Sequence, residues 1–395
     1  MNVRELKPGV YSVGVLDADR RLFDEIIPLP DGTSYNSYII IGKSKTALID
    51  AVDPTKQDEL IDNLRSLKIR EINYVISNHA EQDHSGGIPL VLEKYPTAKV
   101  VTNIKCKEML KDLLLIPEEK FKVVGDGETL SLGDKTLKFI MTPWVHWPET
   151  MVTFLLEDSI LFSCDFFGSH MASNSFSTSI DENKLLSAAK RYYAEIMMPF
   201  RAHIIKHLES LGKMKIDFIA PSHGPIYKNP ELIFEAYREW ASDNVKNIVV
   251  LPYVSMHGST LRMVKHLIKA LEGKGIIVKP YNLTNADIGE LAMSLIDAAT
   301  VIIGSPTMLI GPHPSAFYAA YLVNILRPKT RYVSVIGSYG WGGRMVEYIK
   351  GLFTSIKPEI IEPVIIKGYP KKPDFEKLDQ LAEQVALKHK EIGLL

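Results

Sequence analysis

Five near-continuous apolar runs in the C-terminal part of the chain restrict its fold more than any other feature. They are NIVVLPYV, IIVKPYNL, TVIIGSPT, RYVSVIGSYG and EPVIIKG. Between and after them come STLRMVKHLIKALEG, DIGELAMSLID, SAFYAAYLVNIL, RMVEYIKGLF and FEKLDQLAEQVALKHK, where apolar residues recur at three- and four-residue spacing. Short apolar runs bounded by turn residues read as strands, and the periodic stretches as amphipathic helices. A strand that is apolar on both faces needs cover on both, and parallel neighbours need a crossover that a helix supplies. The alternation therefore predicts a doubly wound parallel sheet over residues 247–395, with strand order 2-1-3-4-5.

Residues 1–245 have another rhythm. SYNSYIIIG, TALIDAV, INYVISN, AKVVTN, LKFIMT, MVTFLLED and SILFSCD are strand-like and separated by turns such as GKSK, VGDGE and LGDK. Helical stretches such as KQDELIDNLRSL interleave with them. Asp181 to about Leu211 reads as helical, and IDFIAPSHG returns to a strand and a loop. This mixture predicts two sheets with helices outside, an α/β sandwich. SDNVKN resembles a short linker, and 395 residues favour two domains over one.

Composition closes off several classes of function. A formal net charge of -1 gives no basic field for nucleic acid, so no nucleic-acid partner is expected. No apolar run reaches the roughly 18 residues of a membrane span, and the start has no signal-like apolar run, so no membrane association is expected. Two cysteines, Cys106 and Cys164, cannot build a disulfide scaffold, which points to a reducing cytoplasm. Nor can they form a rubredoxin-type iron site, so any such electron carrier must be another chain.

The chemistry concentrates at strand ends. Asn78 to Gly87 reads NHAEQDHSGG and offers His79, Glu81, Asp83 and His84 straight after a strand-like run. His146 in TPWVHWPE, Asp165 at the end of SILFSCD and His223 in APSHGPIY occupy similar places. Three carboxylates offset the repulsion of two close divalent metals, and four imidazoles complete the set. Carboxylates mixed with imidazoles suit iron better than zinc, so Glu81 tilts the site from hydrolysis towards redox chemistry. Asp50, ending TALID, is expected to orient a ligand histidine. His203, His207, His257, His266, His313 and His389 read as non-ligands.

HxExDH followed by the later His, Asp and His resembles the flavodiiron proteins, also called A-type flavoproteins, over nearly the whole chain, including MTPWVHWPETM and LFSCDFFGSH. The resemblance implies an N-terminal metallo-β-lactamase-like αββα sandwich and a C-terminal flavodoxin-like doubly wound parallel sheet. It implies that His79, Glu81 and His146 bind one iron, that Asp83, His84 and His223 bind the other, and that Asp165 bridges them. His84 stays open, because in some relatives the corresponding histidine is displaced. His170 in FGSHMAS and Tyr193 in KRYYAEIMMPF resemble parts of the family site that hydrogen-bond around the metals. The implied activity is reduction of dioxygen to water, or of nitric oxide to nitrous oxide, by an FMN- and di-iron-dependent oxidoreductase. A rubredoxin or a reduced deazaflavin is the implied electron donor. The resemblance further implies a head-to-tail homodimer, or a dimer of dimers, that brings one chain's FMN to the other's irons, with Trp147 a candidate contact.

Three loops of the C-terminal domain read as the flavin site: Ser255, Met256, His257, Gly258, Ser259 and Thr260 after the first strand; Ser305, Pro306 and Thr307 after the third; and Ser338, Tyr339, Gly340, Trp341, Gly342 and Gly343 after the fourth. Hydroxyls and backbone N–H groups at a helix N-terminus cradle phosphate, and Tyr339 or Trp341 can stack on a flat ring. No GxGxxG follows a strand, which disfavours a dinucleotide. Two competing readings are a zinc-dependent hydrolase fused to a flavodoxin-like domain, and an electron carrier with a structural metal.

Overall fold

The computed structural model describes residues 3–395. The chain forms two compact units. The first runs to Tyr193 and resumes over Phe200–Ala241; the second comprises Ala194–Pro199 and Ser242–Leu395.

The first unit is a sandwich of a seven-stranded and a five-stranded sheet. In the seven-stranded sheet, Arg4–Lys7, Val10–Ser12, Tyr38–Ile41 and Thr46–Ile49 pair antiparallel in sequence order. Tyr74–Ile76, Lys99–Thr102 and Phe121–Val123 then continue it in parallel. The five-stranded sheet orders Thr129–Ser131, Thr136–Met141, Met151–Leu155, Ile160–Cys164 and Phe218–Pro221, only the last pair being parallel.

Alternation along the strands sorts residues between two cores. Ile40, Ala47, Ile49, Ile76 and Val101 face Leu137, Phe139, Met151, Leu155 and Phe162 across the sheets. Their neighbours Ile39, Leu48, Val75 and Val100 face Leu60, Ile61, Leu64, Val91 and Leu110 of the covering helices. Asn103 starts one of those helices, its side chain accepting from the backbone N–H groups of Lys105 and Cys106. The expected helical region after Asp181 is two α-helices, Glu182–Tyr192 and Arg201–Leu211, joined by a π-helical stretch over Tyr193–Met197 and a 3-10 turn over Met198–Phe200 that contains Pro199. Proline lacks the N–H that a continuous helix would need there.

The second unit is a parallel sheet ordered Ile277–Asn282, Lys246–Tyr253, Ala298–Met308, Tyr332–Tyr339 and then a split fifth strand, which is the 2-1-3-4-5 order. Glu359–Ile360 and Val364–Lys367 both pair with Tyr332–Tyr339. Pro363, which cannot donate to the ladder, lies in the interruption. The inner strands are buried almost throughout, whereas Ile277–Asn282 is largely exposed and tolerates Pro280 because it lies at the edge. Helices Ser259–Glu272, Ile288–Leu295, Pro314–Leu326, Met345–Leu352 and Lys372–Glu391 follow the strands in turn.

Candidate metal and flavin sites

Every metal-type side chain of the first unit leaves the end of a strand. His79 follows Tyr74–Ile76, and Glu81 is the N-cap of the single turn Gln82–Ser85 that carries Asp83 and His84. His146 lies in the loop after Thr136–Met141, Asp165 follows Ile160–Cys164 directly, and His223 follows Phe218–Pro221. Asp165 sits between two triads. Its Oδ2 is 3.6 Å from His79 Nε2 and 3.5 Å from His146 Nε2. Its Oδ1 is 3.1 Å from His84 Nε2 and 3.4 Å from His223 Nε2. Glu81 Oε2 is 3.1 Å from both His79 and His146. Asp83 reaches His84 at 3.3 Å and His223 at 3.1 Å. His84, left open by the sequence, thus turns its Nε2 into the cluster.

These atoms converge without satisfying one another. Both oxygens of Asp83 and Oδ2 of Asp165 are buried and make no hydrogen bond of proper geometry. Buried carboxylates left in that state are costly unless a cation meets them, so the donor set fits a pair of divalent metals. His79, Glu81, His146 and Asp165 make one metal-capable group; Asp83, His84 and His223 another; His84, Cys164 and Asp165 a third. No other such group occurs among the described residues. Most of the cluster is inaccessible, but the Glu81 and His146 side chains keep 19% and 15% of their surface, so the site opens on their side.

Charge couples the cluster. Burial opposes protonation of His79, yet hydrogen bonds to Glu149 and Glu81 and the charge of Asp165 hold its pKa well above normal. Burial is likewise outweighed at His146 and His223, raised to about 9 and about 10 by hydrogen bonds to Asp165 and to Glu81 or Asp83. Asp165 resists the upward pull of burial and is held far below the usual carboxylate range by the surrounding histidines. Without metal, protons on the imidazoles balance the carboxylates, so metal and protons compete for one set of atoms.

The surrounding contacts contain several corrections. Asp50 does not hydrogen-bond a histidine: its oxygens accept from the backbone and side-chain nitrogens of Asn78 at 2.7 and 2.9 Å. Thr153 donates to the Asn78 side-chain oxygen, so Asp50 shapes the loop that aims His79. Glu149 does what Asp50 was expected to do. Its Oε1 accepts from His79 Nδ1 at 2.6 Å and from the Ala80 N–H at 3.1 Å. It lies in the same TPWVHWPE stretch as His146, which was the available signal. His223 Nδ1 donates to the Ser34 carbonyl at 2.7 Å. Tyr192 donates to Asp165 Oδ1 at 2.8 Å, while its neighbour Tyr193 packs its ring on Tyr237 and Trp240. Adjacent helix residues point about 100° apart, and nothing in KRYY told which tyrosine faced the metals.

His170 is buried beside His223, ring centroids 5.3 Å apart, with Nδ1 3.0 Å from Thr33 Oγ1 and Nε2 without a hydrogen-bond partner. Burial and the charge on His223 push its pKa well down, so it stays neutral. Trp147 sets its ring edge-on to His79 at 4.9 Å within the same chain. Cys106 and Cys164 are free and buried.

In the second unit, one pocket at the carboxyl edge of the sheet is lined by Ser255, Met256, His257, Ser259, Thr260, Pro306, Thr307, Ser338, Tyr339 and Gly340. Gly368, which sequence reasoning missed, completes it and donates its N–H to the Tyr339 carbonyl at 2.8 Å. Gly258 at φ +86° starts helix Ser259–Glu272 with no side-chain cap. Thr260 Oγ1 is buried there without a partner, while Ser255 Oγ accepts from the Leu261 N–H at 3.1 Å. A helix start whose N-cap glycine offers no side chain, with an unpaired hydroxyl beside it, fits a phosphate. Ser305 does not line the pocket: its hydroxyl donates to the Pro306 carbonyl and accepts from the His313 N–H. Trp341 is 79% exposed, and it, Gly258, Gly342 and Gly343 lie outside the lining. A Cβ on Gly343 would meet Thr307 Cγ2 at 2.5 Å, so that position keeps two loops close.

A two-sheet sandwich with a histidine–carboxylate cluster at its strand ends, followed by a 2-1-3-4-5 parallel sheet, defines a metallo-β-lactamase-like unit joined to a flavodoxin-like unit. A family model described as ODP family beta lactamase matches residues 33–224. The chain is 35% identical to a coenzyme F420H(2) oxidase of Methanothermobacter marburgensis, over 88% of this chain and 89% of that one. It is 34% identical to a nitric oxide reductase of Moorella thermoacetica, over 96% of each. The solved rubredoxin oxygen:oxidoreductase of Desulfovibrio gigas superposes with TM-score 0.94 at 30% identity over 99% of both chains. The flavodiiron protein of Giardia intestinalis does so with TM-score 0.88 at 29% identity over 98% of both. The chain belongs to the flavodiiron protein family and is an oxidoreductase.

Proposed function

We propose that this protein reduces dioxygen to water, nitric oxide to nitrous oxide, or both, at a di-iron site supplied with electrons by FMN. The placement of Asp165 carries the reading: one oxygen faces His79 and His146, the other His84 and His223. That arrangement suits a carboxylate shared by two metals, with His79, Glu81 and His146 on one and Asp83, His84 and His223 on the other. When bound, the irons supply the redox chemistry and the flavin delivers electrons one or two at a time.

The chain's own residues do the rest. Glu149 and the Ser34 carbonyl hold the Nδ1 protons of His79 and His223, so each ring presents Nε2 to its metal. Tyr192 holds Asp165 Oδ1 and stays protonated, since burial and the Asp165 charge push its pKa well up. Neutral His170 offers Nε2 beside His223 for hydrogen bonding. The residual exposure of the Glu81 and His146 side chains marks the side from which a small gas would reach the otherwise buried cluster. In the second unit, Ser255, Ser259 and Thr260 receive the FMN phosphate, and Tyr339 borders the ring.

The names of relatives support two donors, a reduced deazaflavin such as F420H2 and a rubredoxin. The family resemblance supports a head-to-tail homodimer, alone or as a dimer of dimers, as the assembly that brings one chain's FMN to the other chain's irons. The test is metal analysis followed by stopped-flow mixing of the anaerobically reduced protein with each gas. About two irons per chain and rapid consumption of either gas are expected. Two zincs with esterase activity would favour the hydrolase, and irons that leave both gases untouched would favour a bare electron carrier. Either result refutes the proposal.

A further inference from the structure

We propose that Cys164 is the positioning residue of His84, and that its weak sulfur contact makes the metal held by Asp83, His84 and His223 the more labile of the pair. The inference rests on the two-metal reading of the cluster. An imidazole that binds metal through Nε2 carries its proton on Nδ1, and the acceptor of that proton fixes the ring and its basicity. His79 has a carboxylate oxygen at 2.6 Å for this purpose, and His223 a carbonyl oxygen at 2.7 Å. His84 Nδ1 has Cys164 Sγ at 3.9 Å. No other hydrogen bond to that nitrogen occurs among the described residues. A thiol sulfur is a poor acceptor, so His84 is oriented by contact more than by a strong hydrogen bond.

Cys164 is well placed for the task. It is 2% exposed, and its carbonyl accepts from the Ser222 N–H at 2.8 Å, next in the chain to His223. Its backbone turns to φ +54° at the end of strand Ile160–Cys164, immediately before Asp165. A non-glycine residue holds that conformation only where its surroundings impose it. One residue therefore ties the position of His84 to Asp165 and to the His223 loop. The group His84, Cys164 and Asp165 is itself compact enough to meet one ion.

The test is iron release from the anaerobic holoprotein into an excess of chelator, with FMN content measured alongside. Two phases are expected in the unaltered protein. Cys164→Ala should accelerate the faster phase by about tenfold, in line with the 10–100-fold cost of losing an orienting partner. The slower phase and the FMN content should not change. Cys164→Ser, which retains an acceptor, should return most of the difference. If Cys164→Ala leaves both phases unchanged, or accelerates both alike, the inference falls while the two-metal reading stands. If the unaltered protein binds a single iron, both fall together.

Discussion

Replacing Glu149 by Gln should weaken one metal site by about tenfold and leave the other intact. Glu149 is 2% exposed, and its Oε1 takes protons from both His79 Nδ1 and the Ala80 N–H. Glutamine keeps the shape. The demand of the Ala80 N–H also fixes its orientation, because an amide NH2 turned towards that donor would clash with it. His79 therefore keeps its tautomer and loses only the negative charge of its acceptor. Hydrogen bonds to charged groups contribute about 1.5–3 kcal/mol and neutral ones about 0.5–1.5. The difference, about 1–1.5 kcal/mol, is about tenfold in affinity. Glu149→Ala would also strand the buried Ala80 N–H and should cost more. The assay is competition for iron against a graded series of chelators, read as irons retained per chain, with FMN as the folding control. Affinities within twofold of the unaltered protein, or equal weakening of both irons, would refute the reasoning.

Ser255→Ala together with Thr260→Ala should weaken FMN retention by about tenfold on gel filtration while iron content holds, since two hydroxyls at the helix start are lost. His389 is fully buried between Thr300 Oγ1 and Asn247 Oδ1, and desolvation lowers its pKa to about 4. The unfolded chain then binds a proton between pH 6.5 and 4 that the folded unit refuses. The associated stability, up to about 2 kcal/mol with allowance for solvent screening, is fully present above pH 6.5 and lost as pH falls to 4. The protection of amides in strand Lys246–Tyr253, taken relative to their intrinsic exchange rate at each pH, should fall over that window, and His389→Gln should flatten the dependence. Finally, Thr307 pairs with Pro312 and Met308 with Gly311 around a turn whose tip is Leu309 and Ile310 at φ +50° and +82°. Asn–Gly at these positions suits a turn with two positive φ values and should raise the stability of the second unit by about 1–3 kcal/mol in urea unfolding. No gain would show that contacts of the two side chains outweigh the backbone strain.

The sequence by itself determined the outline because its signals are local. Periods of two and of 3.6 residues separate sandwich strands from covering helices. Parallel strands joined by helices can wind only in a few ways, so the architecture of the second sheet follows from the alternation alone. Metal-type residues at strand ends were legible for the same reason: each follows an apolar run that must stop at a loop.

Tertiary structure decided what depends on the far side of a ring or on a neighbouring loop. No local pattern distinguishes Asp50 from Glu149 as the partner of His79, since both end or follow strand-like runs. The choice was made by the packing of the TPWVHWPE loop against Ala80. Tyr192 rather than Tyr193 reaches Asp165 because helix phase, unmarked in YY, is set by how that helix packs. Ser305 was spent on its own turn, and Gly368, at the end of the split fifth strand, closed the pocket instead. Nothing in the sequence around Cys164 marked it as a partner of His84; the fold sets its sulfur 3.9 Å from that ring. Strand ends are encoded in hydrophobic runs, whereas second partners are chosen by contacts between residues as far apart as His79 and Glu149, which no single stretch of chain contains.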